Sequence, residues 1–94
     1  MLIRVLVYQE GKLVAALKRV QPSMPSNEKS LELAEEAFRL TNTIDEPWWQ
    51  AKHAVADAKK GCRSTSVGDT IVIRSQDELR AYRVANVGFE RLAS

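Results

Sequence analysis

The N-terminal segment constrains the fold most, because residues 2–8 are apolar on both of their alternating sides. Only Arg4 interrupts this pattern. A strand with two apolar sides is typical of the interior of a sheet, so we expect a central strand here. Gly11 follows in a short polar segment and can adopt a positive φ at no steric cost. Residues 13–20 then complete a predicted β-hairpin.

Two helices are predicted after the hairpin. A proline-containing loop leads to Ser26 or Asn27, either of which is a suitable N-cap for a helix over residues 28–40. The apolar positions of that helix recur at helical spacing. They are Leu31, Ala34 and Phe38, with Leu33, Ala37 and Leu40 on the adjacent side.

The second predicted helix covers residues 47–60. Pro47 suits its first turn, and Gly61 suits the left-handed position just beyond its end. Beyond it we predict strands over residues 70–74 and 79–85, and a further short strand over residues 87–92. The predicted fold class is therefore α+β: an N-terminal β-hairpin, two helices, and two or three C-terminal strands. One mixed or antiparallel sheet should carry the helices on one face.

Composition limits the size and the setting of the protein. The chain has 94 residues, of which 45% are apolar and 28% charged, so we expect a single domain over residues 1–94 with one modest core. We expect no membrane partner, because no apolar run approaches the roughly 20 residues that cross a bilayer. A single cysteine, Cys62, favours a reducing cytoplasm.

Charge is distributed unevenly along the chain. Residues 1–27 contain four basic and one acidic side chain, for a net charge of +3. Residues 28–57 contain three basic and seven acidic side chains, for a net charge of −4. Residues 58–94 contain seven basic and four acidic side chains, for a net charge of +3. This polarity suits either a nucleic acid or an acidic protein as a partner.

The segment from Arg63 to Asp69, Arg-Ser-Thr-Ser-Val-Gly-Asp, is the most distinctive part of the sequence. Lys59 and Lys60 precede it, so cations and hydroxyls are concentrated as in a phosphate site. The glycine spacing of a phosphate-binding loop is absent, however, and the C-terminal end of a helix repels anions. We therefore favour a structural interpretation, in which Ser64 or Ser66 bonds to local backbone and Gly68 and Asp69 form the turn into the next strand.

A hydrolase is the least favoured interpretation. His53, Ser64 or Ser66, and Asp69 supply the residue types of a catalytic triad. These serines follow the end of a helix, whereas a triad nucleophile needs a strained elbow or a helix N-terminus with oxyanion donors. The sequence therefore predicts no catalytic residue, and it predicts no metal or cofactor ligand.

The dipeptide Trp48-Trp49 is unusual in a helix, because successive side chains point about 100° apart. Trp48 shares the spacing of a buried stripe with Ala51 and Val55, so we assign it to the core. Trp49 is then a candidate for a partner surface or for base stacking, with packing at the edge of the core as the alternative.

The second half of the chain resembles a family of small uncharacterised bacterial, plasmid and phage proteins that includes the YodL-like domains. The resemblance lies in the Arg63-to-Asp69 block, the apolar strand at residues 71–73, the strand at residues 81–84 and the Gly88-Phe89 pair. Residues 37–42 and Pro47-Trp48 are similar as well. The resemblance covers roughly residues 37–92. It implies a setting on mobile elements and a regulatory or inhibitory binding role, and it assigns no activity to any residue.

These observations favour a small binding or regulatory module without catalytic activity. Its predicted partner is another protein, bound through Arg63, Ser64, Ser66 and Trp49, beside Lys59 and Lys60. The alternative is a nucleic-acid-binding protein that adds Arg74, Arg80 and Arg83 as phosphate contacts and uses Trp49 for stacking. A homodimer also stays open, because an N-terminal or C-terminal strand at a sheet edge can pair with a second copy.

Overall fold

The protein is described from a computed structural model, which covers residues 1–21, 25–42, 65–76 and 78–92. Five strands and one helix lie in these ranges. They are β1 (Leu2–Gln9), β2 (Lys12–Val20), α1 (Asn27–Leu40), β3 (Thr70–Arg74), β4 (Leu79–Val84) and β5 (Phe89–Leu92). This confirms an α+β fold with an N-terminal hairpin and three C-terminal strands. The second predicted helix, over residues 47–60, lies outside the described ranges.

The strands form one sheet in the order β2-β1-β3-β4-β5, and all hydrogen-bonded neighbours are antiparallel. The predicted central position of β1 is confirmed, since β2 and β3 flank it. Because β2 and β3 are both antiparallel to β1, they are parallel to each other. The connection that contains α1 therefore crosses over β1 before it enters β3.

The N-terminal hairpin closes through a two-residue turn, in which Glu10 has φ 53° and Gly11 has φ 78°. Two successive positive φ values match the twist of the flanking strands, as in type I′ turns. The register then shifts between Val7 and Tyr8 at a β-bulge. The extra residue lets both Val14 and Ala15 enter the core.

Helix α1 begins at the predicted cap, where the Ser26 side chain accepts a hydrogen bond from Lys29 N at 3.3 Å. Its buried positions are small: Ser30, Ala34 and Ala37. Small side chains allow the helix to approach the sheet closely. Leu31, which we predicted to be on the buried side, is instead exposed, because the buried face is centred on these small residues rather than on the leucines.

The core lies between α1 and one face of the sheet. Its fully buried members on the central strands are Ile3, Val5, Val7, Ile71 and Ile73. Phe38 and Phe89 close one side in an edge-to-face contact, with ring centroids 6.2 Å apart. Phe89 thus packs against the core as a partly buried side chain.

The edges of the sheet are β2 and β5. The expectation that the C-terminal strand lies at an edge is confirmed. The N-terminal strand β1 is paired on both sides, and its hairpin partner β2 lies at the other edge of the described sheet.

Candidate functional site

Strand alternation and register divide the sheet into two different faces. The face toward α1 contains the core residues. We call the opposite side the open face, because no described element packs against it. Cross-strand pairing brings its residues into rows that run across the strands.

The most distinctive feature of the open face is a row of three cations. Lys18 on β2 is paired with Arg4 on β1, and Arg4 is paired with Arg74 on β3. All three are exposed. Directly opposed like charges repel one another across a sheet, so this basic row has a cost in the free protein. A bound anion would relieve that repulsion.

An apolar row runs beside the basic row across all five strands. It consists of Ala16, Leu6, Val72, Ala81 and Leu92, of which Leu6 is buried and the other four are half-buried. Beyond it, Tyr8 pairs with Thr70, and Thr70 pairs with Arg83. The exposed side chains of Arg83 and Glu90 lie 4.0 Å apart and form a weak ion pair. The open face therefore combines cations with apolar area and one aromatic ring.

The arginines on the other face are used to hold α1. Arg19 forms an ion pair with Glu36, and Arg91 donates to the Asn27 side chain at 3.1 Å. Arg80 has a side chain that is only 17% exposed, and it donates to Pro25 O and to Ser30 Oγ. In the described ranges, by contrast, no carboxylate lies within ion-pair distance of Lys18, Arg4 or Arg74.

The predicted nucleic-acid contacts therefore lie on opposite faces of the sheet. Arg83 is paired with Thr70 of β3, so the two side chains lie on the same face. Thr70 and Arg74 are an even number of residues apart on β3, so Arg74 and Arg83 share the open face. Arg80 is paired with the core residue Ile73 and points to α1. Sequence reasoning overlooked Arg4 and Lys18. The available signal was Arg4, the single charge in an apolar strand.

The distinctive block is described only from Thr65 onward. Ser66 is exposed, and its backbone N donates to Asp69 Oδ2 at 2.9 Å, while Asp69 N donates to Ser66 O at 3.0 Å. Gly68 has φ 97° between them. The predicted turn at Gly68 and Asp69 is thus confirmed, with a buried Asp69 carboxylate closing it.

A buried chain of hydrogen bonds fastens this block to the helix. Thr65 Oγ1 donates to Thr41 Oγ1 at 2.6 Å and accepts from Gln9 Nε2 at 3.4 Å. Thr41 Oγ1 in turn donates to Ala37 O at 2.9 Å. Thr65 and Thr41 are almost completely buried. Thr65 thus has a structural role that sequence reasoning did not assign to it.

Replacement of Thr65 by valine should lower the free energy of unfolding by about 1–2 kcal/mol. Valine keeps the shape but removes the buried hydroxyl that donates to Thr41 Oγ1 and accepts from Gln9 Nε2. Chemical denaturation of both proteins would measure the difference. The reverse exchange at an exposed neighbour, Val67→Thr, is the matched control and should change the stability by less than about 0.5 kcal/mol. Equal stabilities for Thr65→Val and the parent protein would contradict a fastening role.

The remaining predicted site residues lie outside the described ranges. They are Trp49, His53, Lys59, Lys60, Arg63 and Ser64, together with the core assignment of Trp48. Their proposed roles stay predictions. Of the predicted partner loop, the structure describes Ser66 alone, and of the predicted triad it describes only Ser66 and Asp69.

Comparisons of the chain with protein-family models, with curated proteins and with solved structures found no match. The resemblance to YodL-like domains accordingly stays a prediction. In the described ranges, no three His, Cys, Asp or Glu side chains come together as metal ligands do. None of the helices in that part of the chain is long and apolar enough to cross a membrane.

Proposed function

We propose that this protein is a small binding module whose contact surface is the open face of its sheet, and that its partner is a single strand of nucleic acid. The observation that carries this proposal is the basic row: Lys18, Arg4 and Arg74 stand in register on three adjacent strands. A phosphate backbone is a regularly spaced polyanion that neutralises such a row. The cytoplasmic setting predicted from the lone Cys62 agrees with this partner.

Two further features favour a single strand over an acidic protein. The apolar row and Tyr8 lie directly beside the cations, and unstacked bases can pack on such surfaces while their phosphates bind the cations. Arg83 adds a cation on the far side of the apolar row. Acidic side chains on the exposed surface of α1, including Glu32 and Glu35, lie on the opposite side of the molecule. The charge distribution therefore orients the open face toward a polyanion.

The double variant Arg4→Gln/Arg74→Gln should weaken binding of a fluorescent single-stranded oligonucleotide and reduce its salt dependence. Each lost phosphate contact lowers the slope of log K against log salt by about 0.7 for a single strand, so the expected change is about 1.4. Fluorescence anisotropy titrations at several salt concentrations would measure both quantities. The fold should survive, because removing opposed like charges relieves repulsion.

Arg91→Gln is the control for position, since it removes a positive charge from the helix-facing side of β5. We expect its salt slope to equal that of the parent protein. An unchanged slope in the double variant would show that the open face is not the contact surface. Absence of binding by the parent protein at low salt would exclude a nucleic-acid partner, because phosphate contacts are strongest there.

A further inference from the structure

The basic row borders a concavity at one end of the open face. This cavity of about 480 Å³ is lined by Arg4 and Arg74 together with Met1, Leu2, Ser75 and Gln76. The two arginines come from paired positions on β1 and β3, so both guanidinium groups are available to one ligand. Leu2 supplies an apolar wall, and Ser75 and Gln76 line the cavity just after β3.

The charge of the cavity favours a dianion. Two opposed guanidinium groups without a carboxylate partner in the described ranges carry two positive charges in one small volume. An internal phosphate of a nucleic acid carries one negative charge, whereas a terminal phosphate monoester carries about −1.5 to −2 at neutral pH. A monoester also offers three oxygens to the planar donors of arginine. The ligand that matches the cavity best is therefore a monoester.

The polar groups at the rim support this assignment. Gln76 is exposed on the segment that follows β3, where its amide can donate to a phosphate oxygen. The Ser75 hydroxyl is already engaged with Glu78, whose backbone N donates to it at 3.0 Å. Ser75 therefore shapes the wall of the cavity, while Arg4, Arg74 and Gln76 provide the donors.

We propose that the Arg4–Arg74 cavity binds the terminal phosphate monoester of a nucleic-acid strand that lies across the open face. The inference rests on the proposed function and names the part of the strand that the protein recognises. Arg83 lies beyond the apolar row, about 13 Å along the strand direction from Arg74, in the path of the following nucleotides. The protein is thus expected to prefer strand ends that carry a phosphate.

Three oligonucleotides of one sequence test this inference: one with a 5′-phosphate, one with a 3′-phosphate and one with hydroxyls at both ends. We expect the protein to bind one of the phosphorylated strands about tenfold more tightly than the hydroxyl strand in anisotropy titrations. Arg74→Gln should remove this preference. Arg83→Gln is the matched control, since it should weaken binding to all three strands by the same factor and leave the preference intact.

A second measurement separates failure of the cavity from failure of the proposed function. Titration of a nucleoside monophosphate should shift the backbone amide resonances of Arg4 and Arg74, whereas the unphosphorylated nucleoside should not. Equal affinity for all three strands, without these shifts, would overturn the cavity assignment and leave nucleic-acid binding intact. Shifts with the monophosphate but no binding of any strand would retain a monoester site and overturn the proposed function. Absence of both would overturn both.

Discussion

Replacement of Ile73 by alanine is expected to lower the free energy of unfolding by about 3 kcal/mol. Ile73 is completely buried on β3, where it pairs with Val5 of β1 and faces the layer formed by α1. Removal of three buried carbons loses their transfer free energy and leaves a cavity in a closely packed core. For a domain of this size, the corresponding decrease in Tm is roughly 15 °C. Calorimetry or chemical denaturation would measure it.

The neighbouring position provides the control. Val72 lies on the open face and is half-buried, so Val72→Ala should cost about 1 kcal/mol or less. The two variants differ by one step along the same strand but test opposite faces of the sheet. A cost for Val72→Ala as large as that for Ile73→Ala would show that another part of the protein covers the open face. That result would also argue against the open face as a contact surface.

Replacement of Arg80 by methionine is expected to lower the free energy of unfolding by about 2 kcal/mol. Methionine keeps most of the apolar stem but removes the donors that Arg80 supplies to Pro25 O and Ser30 Oγ at the start of α1. Arg80→Lys should recover only part of the loss, because Nη1 makes both bonds from a planar, pre-organised group, whereas the flexible lysine loses more conformational freedom to place its ammonium between the two acceptors. Chemical denaturation of the three proteins would measure these differences.

Arg83→Met is the control on the same strand. Arg83 is half-exposed on the open face, and its contact with Glu90 at 4.0 Å contributes little to stability. We expect a change within about 0.5 kcal/mol, together with weaker binding of oligonucleotides. Arg80→Met should show the opposite pattern, with lower stability and an unchanged salt slope of binding. A lower free energy of unfolding in Arg83→Met, together with an unchanged one in Arg80→Met, would contradict the assignment of the two faces.

The strands of this protein are largely predictable from local pattern. A short run of β-branched residues predicted β3 over its observed length, and the apolar sides of β1 predicted its central place in the sheet. The predicted and observed strands differ at their ends, where the turns set the limits of each strand. Strand β5 begins at Phe89, two residues later than predicted, because Gly88 has φ 71° and Ala85 N donates to Gly88 O in the preceding turn.

The candidate site was less predictable, because it depends on pairing between distant segments. Alternation alone places Arg80 and Arg83 on opposite sides of β4, but it does not tell which side faces the helix. The alignment of Lys18, Arg4 and Arg74 depends on the registers of two strand pairs. The β1–β2 register is set by the two-residue turn and the bulge of the hairpin, and the β1–β3 register places the apolar sides of both strands against α1.

The sequence by itself determined the order of the described strands and helix, a helix cap at Ser26 or Asn27, and the turns at Gly11 and Gly68. These features depend on side-chain periodicity and on backbone conformations that only a few residue types favour. Only the tertiary structure decided which cations lie side by side on the open face and which bind α1. A shift of one residue in strand register moves every side chain of that strand to the other face. For that reason the basic row is visible only once the sheet has formed.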